Sequence, residues 1–255
     1  MTASIERISA TAPLPAHLRG GVVAIGNFDG VHRGHQVVLE RALAESRRRG
    51  VPALVLTFEP HPRKLFRPDT PLFVLTPPPM KARLLTLLDF AAVVEQPFDR
   101  DFANLSAEDF VTGVLDRNLG VTHAVTGFDF HFGKDRQGGP AYLMAAGERH
   151  GFGVTLVDAF RDEGAEVASS SRIRALLCEG AAAEAAGLLG YRYTIEAEVV
   201  GGQQLGRTLG FPTANMRLSP ETGLREGIYA VRLRRADGTL HDGVASFGRR
   251  PTVDA

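Results

Sequence analysis

The sequence predicts an α/β chain in which a parallel sheet covered by helices is followed, near residue 190, by an antiparallel β module. Three observations carry this. Short apolar runs alternate with helical patterns between residues 21 and 157, the alternation of a parallel sheet covered on both faces. From Tyr191 the period changes, with Tyr193, Ile195, Ala197 and Val199 set against Thr194, Glu196 and Glu198, which is the pattern of a half-buried strand. Apart from a short alanine run, no repeat or low-complexity tract interrupts either part. Two domains are expected, 1–187 and 188–255.

Residues 1–20 contain Pro13 and Pro15 and show no pattern. Gly21 to Ile25 is a β-branched apolar run and reads as a buried strand. Gln36 to Arg49 sets Leu39, Ala42 and Leu43 among Glu40, Arg41, Glu45 and Arg47, an amphipathic helix stopped by Gly50. Ala53 to Phe58 is a second strand, and it runs into Glu59-Pro60-His61-Pro62-Arg63, where two prolines stop strand and helix alike. After Pro77-Pro78-Pro79, Met80 to Asp89 is a helix through Leu84, Leu85, Leu87 and Leu88, and Ala91 to Val94 is a third strand.

Ser106-Ala107-Glu108-Asp109 opens a helix with acidic residues in its first turn, where free N–H groups favour negative charge, and Phe110, Val114 and Leu115 form its apolar face. Thr122 to Gly127 is a fourth strand. A glycine loop (Lys134 to Gly139), a short helix near Leu143 and a fifth strand from Phe152 to Val157 follow. The polar loop Arg161 to Ala168 leads to a helix that Ser169, Ser170 and Ser171 can cap, and an alanine-rich helix runs to Gly190. In the β module, Tyr229, Val231 and Leu233 alternate with Arg232 and Arg234, and Asp237-Gly238 turns the chain into Leu240 to Ser246.

Composition narrows the function. Lys+Arg 29 and Asp+Glu 29 cancel, so there is no global basic field for nucleic acid. The single cysteine, Cys178, rules out an internal disulfide and argues against a thiolate metal site. No apolar run approaches the ~20 residues of a membrane span, and no signal-type apolar segment opens the chain. A cytoplasmic protein acting on small molecules is expected.

The chemistry concentrates in Gly26-Asn27-Phe28-Asp29-Gly30-Val31-His32-Arg33-Gly34-His35. This stretch joins the first strand to the first helix, at the carboxyl edge of the sheet where such folds bind ligands. Its glycines let backbone approach a ligand, and helix N–H groups with the positive end of the dipole favour an anion. His32 and His35, three apart at the helix start, can face one ligand. They also fit a core or capping pair beside an ordinary turn; a metal pair would need further ligands that the nearby sequence does not supply. Asp29 suits either a nucleotide pocket or a turn-forming role.

The decapeptide resembles the H-x-G-H signature of the nucleotidylyltransferase superfamily, and in its fuller form the adenylyltransferase half of bacterial bifunctional riboflavin kinase/FAD synthetases. Ser169-Ser170-Ser171-Arg172-Ile173-Arg174 resembles that family's S-S-T-x-I-R segment, with Ser171 in place of threonine. Phe58-Glu59-Pro60-His61-Pro62 and Gly127-Phe128-Asp129-Phe130-His131-Phe132-Gly133 resemble two more of its motifs. Gly206-Arg207-Thr208-Leu209-Gly210-Phe211-Pro212-Thr213-Ala214-Asn215 is similar to the riboflavin kinase motif G-R-x-L-G-F-P-T-A-N, and Gly227 to Ala230 and Gly248 to Thr252 match two further kinase segments.

The resemblance implies a Rossmann-like nucleotidylyltransferase domain, then a riboflavin kinase-like antiparallel β-barrel that is incomplete. It implies transfer of AMP from ATP to FMN, giving FAD and pyrophosphate, with Mg²⁺ arriving with ATP, and phosphorylation of riboflavin in the second half. His32, His35, Asn27 and Arg174 become the catalytic candidates. Arg174 is preferred to Arg172 because residues two apart on a helix do not share a face. Gly26, Phe28, Asp29, Gly34, Ser169, Ser170 and Ser171 are assigned to ATP, and Phe58, His61, Pro62, Asp129 and Phe130 to the flavin. Gly206, Arg207, Gly210, Phe211, Pro212, Thr213 and Asn215 are assigned to the kinase nucleotide, the oxygens of Thr213 and Asn215 suiting Mg²⁺.

Two departures qualify the resemblance. His131 stands where the family more often has arginine, which implies a weaker or pH-dependent phosphate contact. The chain ends at Ala255, where family members continue, so little riboflavin kinase activity is expected. The alternatives are a flavin- or nucleotide-binding remnant without turnover, and a transferase for another small phosphorylated substrate such as nicotinate mononucleotide or phosphopantetheine.

Overall fold

The computed structural model describes residues 5–201 and 213–248. The chain divides into two compact units, Met1–Ser170 and Ser171–Ala255.

In the first unit, β1 (Glu6–Ser9) and β2 (Val22–Ile25) precede α1 (Arg33–Arg49), β3 (Ala53–Glu59), α2 (Pro62–Phe66) and α3 (Pro78–Thr86). Then come β4 (Ala92–Pro97), α4 (Arg100–Ala103), α5 (Ala107–Asp109), β5 (His123–Gly127), α6 (Pro140–His150) and β6 (Gly153–Val157). The six strands form one sheet in the order β1-β4-β3-β2-β5-β6, parallel at every pairing. Chain order reverses on the two sides of β2, and beyond its carboxyl end, between β3 and β5, lies the position at which open α/β sheets bind ligands.

β2 is buried throughout because both faces of the sheet are covered. Val23 and Ile25 pack on one face with Leu54, Leu56, Phe110, Leu115 and Leu143. Val22 and Ala24 pack on the other with Val38, Leu39, Leu43, Val55 and Leu85. The apolar positions of α1 thus anchor the helix that carries the histidines. Gly50 ends α1 as expected, in the left-handed conformation (φ 67°) with its N–H on Arg47 O.

Several sequence expectations are corrected here. β1, in the unpatterned first twenty residues, adds a parallel edge strand by pairing with β4. The helix opened by Ser106 is capped there, its Oγ accepting Asp109 N–H at 3.0 Å, but from Phe110 to Asn118 it continues as a wider, π-type helix. The helix near Leu143 is eleven residues long, not short.

The second unit is described by itself. It holds α7 (Ser170–Glu179, whose first residue closes the preceding unit), α8 (Ala182–Leu189), β7 (Val199–Val200), β8 (Asn215–Met216), β9 (Gly227–Arg234) and β10 (Leu240–Phe247). Arg225 closes the carboxyl end of α7, donating its N–H to Leu177 O at 3.0 Å and Nη1 to Glu179 O at 2.9 Å. The β9–β10 hairpin turns at Asp237-Gly238 as its sequence predicts, with Gly238 at φ 87°. Tyr193, Ile195 and Ala197 are half-buried and Thr194, Glu196 and Glu198 exposed, as the alternation predicts, but among the described residues only Val199–Val200 is paired, with β8. Among the described residues these strands make two two-stranded antiparallel sheets and no closed barrel. No helix of the described residues is long and apolar enough to cross a membrane.

Candidate active site

The site is built on the turn between β2 and α1. Gly26 N–H still bonds to Leu56 O at 3.1 Å, so the turn begins as an extension of the sheet. It then passes through three left-handed residues, Phe28 (φ 48°), Gly30 (φ 88°) and Val31 (φ 38°). For Val31, a β-branched residue, this is a strained conformation costing on the order of 1–3 kcal/mol. Strain of that size persists only where the surroundings impose it, and here Phe28, Asp29, Gly30, Val31 and His32 are all buried.

Three contacts impose it. The buried Asp29 carboxylate accepts the N–H groups of Leu75 (2.9 Å) and Thr76 (3.0 Å), which display the structural one of its two expected roles. Thr76 Oγ1 accepts Gly30 N–H at 2.7 Å. Ser170 Oγ donates to Asp29 O at 2.8 Å, bringing one serine of the second motif onto the turn. Ser169 is half-buried beside it in sequence. Ser171 and Arg174 lie on α7, with Ser171 exposed and Arg174 half-buried.

The histidines meet at the start of α1. His32 caps the helix, its Nδ1 accepting His35 N–H at 3.4 Å, so in the neutral ring the proton sits on Nε2. The two rings stack with centroids 3.6 Å apart and planes 21° apart, and Phe28 meets His35 edge-on at 5.3 Å. Burial first, then the neighbouring His32 and Lys81, push the His35 pKa well below the ordinary histidine value. Imidazoles this close do not readily both carry charge.

Two polar atoms in this corner are shut off from solvent with no hydrogen-bond partner, His35 Nδ1 and Asn27 Oδ1. Buried polar atoms are nearly always paired, so each is a place for a partner the protein does not supply. Close packing continues around them. A Cβ on Gly26 would lie 3.1 Å from the Phe28 ring, and one on Gly34 would lie 3.2 Å from both Ala168 O and the His32 ring.

Sequence reading did not single out Lys81, which belongs to this site. It lies in the first turns of α3 and is only 4% exposed, with Nζ 3.0 Å from Thr57 Oγ1 and 2.7 Å from Glu59 Oε1. Thr57 in turn donates to Asn27 O at 3.1 Å. The signal available in the sequence was a lysine amid Met80, Ala82 and Leu85 on the buried side of α3.

The expected flavin residues lie at the carboxyl ends of β3 and β5. Phe58 is buried and packs on Phe98 and Phe102, which continue through Phe110 to Phe132, and Phe130 stacks on Phe132 at 5.5 Å. His61 caps α2 through Nδ1, accepting Arg63 N–H at 3.1 Å, and Pro62 opens that helix. Asp129 is exposed just after β5, and its Oδ1 would lie 3.2 Å from a Cβ at Gly127. Arg136 Nη2 lies 3.0 Å from His131 Nδ1, so a guanidinium stands beside that histidine. In the second unit, Thr213 and Asn215 stand two positions apart at the start of β8. Gly206, Arg207, Gly210, Phe211 and Pro212 lie outside the described residues.

Comparison with known proteins shows the family. A family model described as FAD synthetase matches residues 14–171, and one described as riboflavin kinase matches residues 189–255. The chain is 40% identical over 234 residues to a bifunctional riboflavin kinase/FMN adenylyltransferase of Escherichia coli K12, covering 92% of this chain and 74% of that protein. To the protein of the same name from Haemophilus influenzae it is 39% identical over 246 residues, covering 93% and 77%. Among solved structures, one described as a macrolide-efflux protein from Streptococcus pneumoniae superposes with a TM-score of 0.85 at 29% identity, covering 98% of this chain and 81% of that one.

Proposed function

Because the chain belongs to the bifunctional riboflavin kinase/FMN adenylyltransferase family, we propose that it makes FAD, its first unit transferring AMP from ATP to FMN with release of pyrophosphate. Riboflavin, phosphorylated from ATP to give FMN, is the substrate of the second unit. The observation that carries the first assignment is the pair of unpartnered buried atoms, His35 Nδ1 and Asn27 Oδ1, at the crevice beyond β2.

Adenylyl transfer needs no protein nucleophile. The FMN phosphate oxygen attacks the α-phosphorus of ATP, and the bond to pyrophosphate breaks. The protein's contribution is to align the two phosphates and to neutralise charge growing on them. We assign the triphosphate to the start of α1, where helix N–H groups point outward. His32 directs Nε2–H to a phosphate oxygen, its other nitrogen being occupied by the cap. His35 stays neutral and donates one hydrogen bond there. Asn27, with Gly26 and Phe28, shapes the nucleotide pocket; for Ser169, Ser171 and Arg174, the likeness of their segment to the family's second motif supports a phosphate-binding role. Phe58, His61, Pro62, Asp129 and Phe130 line the flavin side.

Mg²⁺ accompanies ATP and neutralises phosphate charge when bound. Such an ion is held chiefly by nucleotide phosphates and water. Thr213 and Asn215 offer it two hard oxygens in the kinase unit, and their spacing fits that use.

Incubating the chain with FMN and Mg–ATP, and separately with riboflavin and Mg–ATP, tests the assignment. FAD with equimolar pyrophosphate is expected from the first mixture. Failure to form FAD there would overturn the reading.

A further inference from the structure

We infer that Lys81 is a positioning residue for the adenylyl transfer: its ammonium fixes the Asn27 backbone through the Thr57 hydroxyl, and so aims the Asn27 side chain into the site. The inference rests on the function proposed above.

Lys81 stands against two local preferences. It is 4% exposed, and Glu59 supplies the partner that a buried lysine requires. It lies early in α3, one turn from Pro77, whose carbonyl its own N–H contacts at 2.9 Å, and a cation there opposes the helix dipole. It also takes a place on the buried side of α3, with Met80, Ala82 and Leu85, that a methionine would fill at no desolvation cost. Violations of this kind concentrate at functional sites.

The geometry says what is gained. Nζ bridges Glu59 Oε1 at 2.7 Å and Thr57 Oγ1 at 3.0 Å. The hydroxyl, with its oxygen accepting from the ammonium, has its proton free to donate, and it donates to Asn27 O at 3.1 Å. The result is a directed chain, Glu59 to Lys81 to Thr57 to Asn27, that ends one residue from Phe28 and at the residue whose Oδ1 is unpartnered. Without the ammonium nothing on the lysine side fixes which way the Thr57 hydroxyl points. The same charge faces His35 and helps keep it neutral.

The test measures kcat, KM for FMN and ATP, and melting temperature for the full chain and four variants: Thr57→Val, Thr57→Ser, Lys81→Met and Glu59→Gln. Thr57→Val removes the hydroxyl at nearly constant shape and leaves the Lys81–Glu59 pair in place. We expect it to lower kcat at least tenfold, with both KM values within threefold of wild type. Thr57→Ser restores the hydroxyl and should return kcat to within threefold. Lys81→Met should match or exceed the Thr57→Val loss, and Glu59→Gln should fall between wild type and Lys81→Met. Should Lys81→Met fail to fold, the contrast between valine and serine at position 57 decides. Wild-type turnover with Thr57→Val undiminished, or with Thr57→Ser as impaired as Thr57→Val, would overturn the inference alone. No FAD from the wild type would instead take down the proposed function, and the inference with it.

Discussion

Asp29 and Thr76, 47 positions apart, are tied together twice: Asp29 Oδ1 accepts the Thr76 N–H at 3.0 Å, and Thr76 Oγ1 lies 3.4 Å from the same oxygen. Since Thr76 Oγ1 also holds Gly30 N–H, the segment before α3 clamps a strained turn from both ends of its Asp-Gly pair. The aspartate therefore acts on the site by shaping it.

Replacing Asp29 by alanine orphans the buried N–H groups of Leu75 and Thr76. The expected loss is on the order of 3 kcal/mol of stability in the first unit, with Asp29→Asn, which keeps one acceptor oxygen, losing roughly half. Urea unfolding of the three proteins checks the order. An alanine variant as stable as wild type would remove the clamp from the account.

His32 has two jobs that substitution can separate. His32→Ala gives up both the helix cap, about 1 kcal/mol, and the phosphate contact, a loss of about 10²–10³ in kcat if it resembles removal of a preorganised donor. His32→Asn keeps a good capping oxygen, so it should retain the melting temperature of wild type and still lose the rate. Parallel melting and FAD-formation assays distinguish the two.

The neutral state of His35 has a pH signature. Its folded pKa is lowered below the ordinary 6.5, so between those two values the unfolded chain binds more protons than the folded one. Its contribution to stability is therefore complete above 6.5 and is lost as pH falls through that window. Glu45 does not obscure the effect: hydrogen bonds from Arg48 and Arg49 hold it at about 2, so its charge is constant there. Unfolding midpoints at pH 7.5 and 5.5 should differ more for wild type than for His35→Gln.

Gly34→Ala sets a helix gain of up to about 1 kcal/mol against overpacking of about 1–3 kcal/mol. The Cβ would press on Ala168 O and the His32 ring at 3.2 Å. The net change is a destabilisation of roughly 0–2 kcal/mol, and the ring must shift to make room. A fall in kcat of at least tenfold, larger than that loss of stability explains, is the expected result.

These residues also show which parts of the molecule were legible in the sequence. The strand, turn and helix from Val22 to Gly50 were legible because local pattern decides them, and the β9–β10 hairpin because Asp237-Gly238 fixes its register. The clamp and the Lys81 chain were not, because Asp29 meets Thr76, and Thr57 meets Lys81, only after α/β crossovers bring distant segments together. β1 escaped notice because a four-residue edge strand leaves too short a pattern. The alternation from Tyr193 to Ala197 was legible as alternating burial, but period two states only a preference for a strand, and among the described residues the ladder begins at Val199. Two of the three serines and both arginines of the second motif sit on a helix whose start the sequence did place.

The histidine turn cannot be treated as a portable cassette. Its backbone is held in an unfavourable shape by Leu75 and Thr76, and its asparagine is reached from Lys81 through Thr57. Grafting those ten residues onto another sheet would transplant the letters and leave the scaffolding behind; the smallest transferable unit includes β3 and the opening of α3.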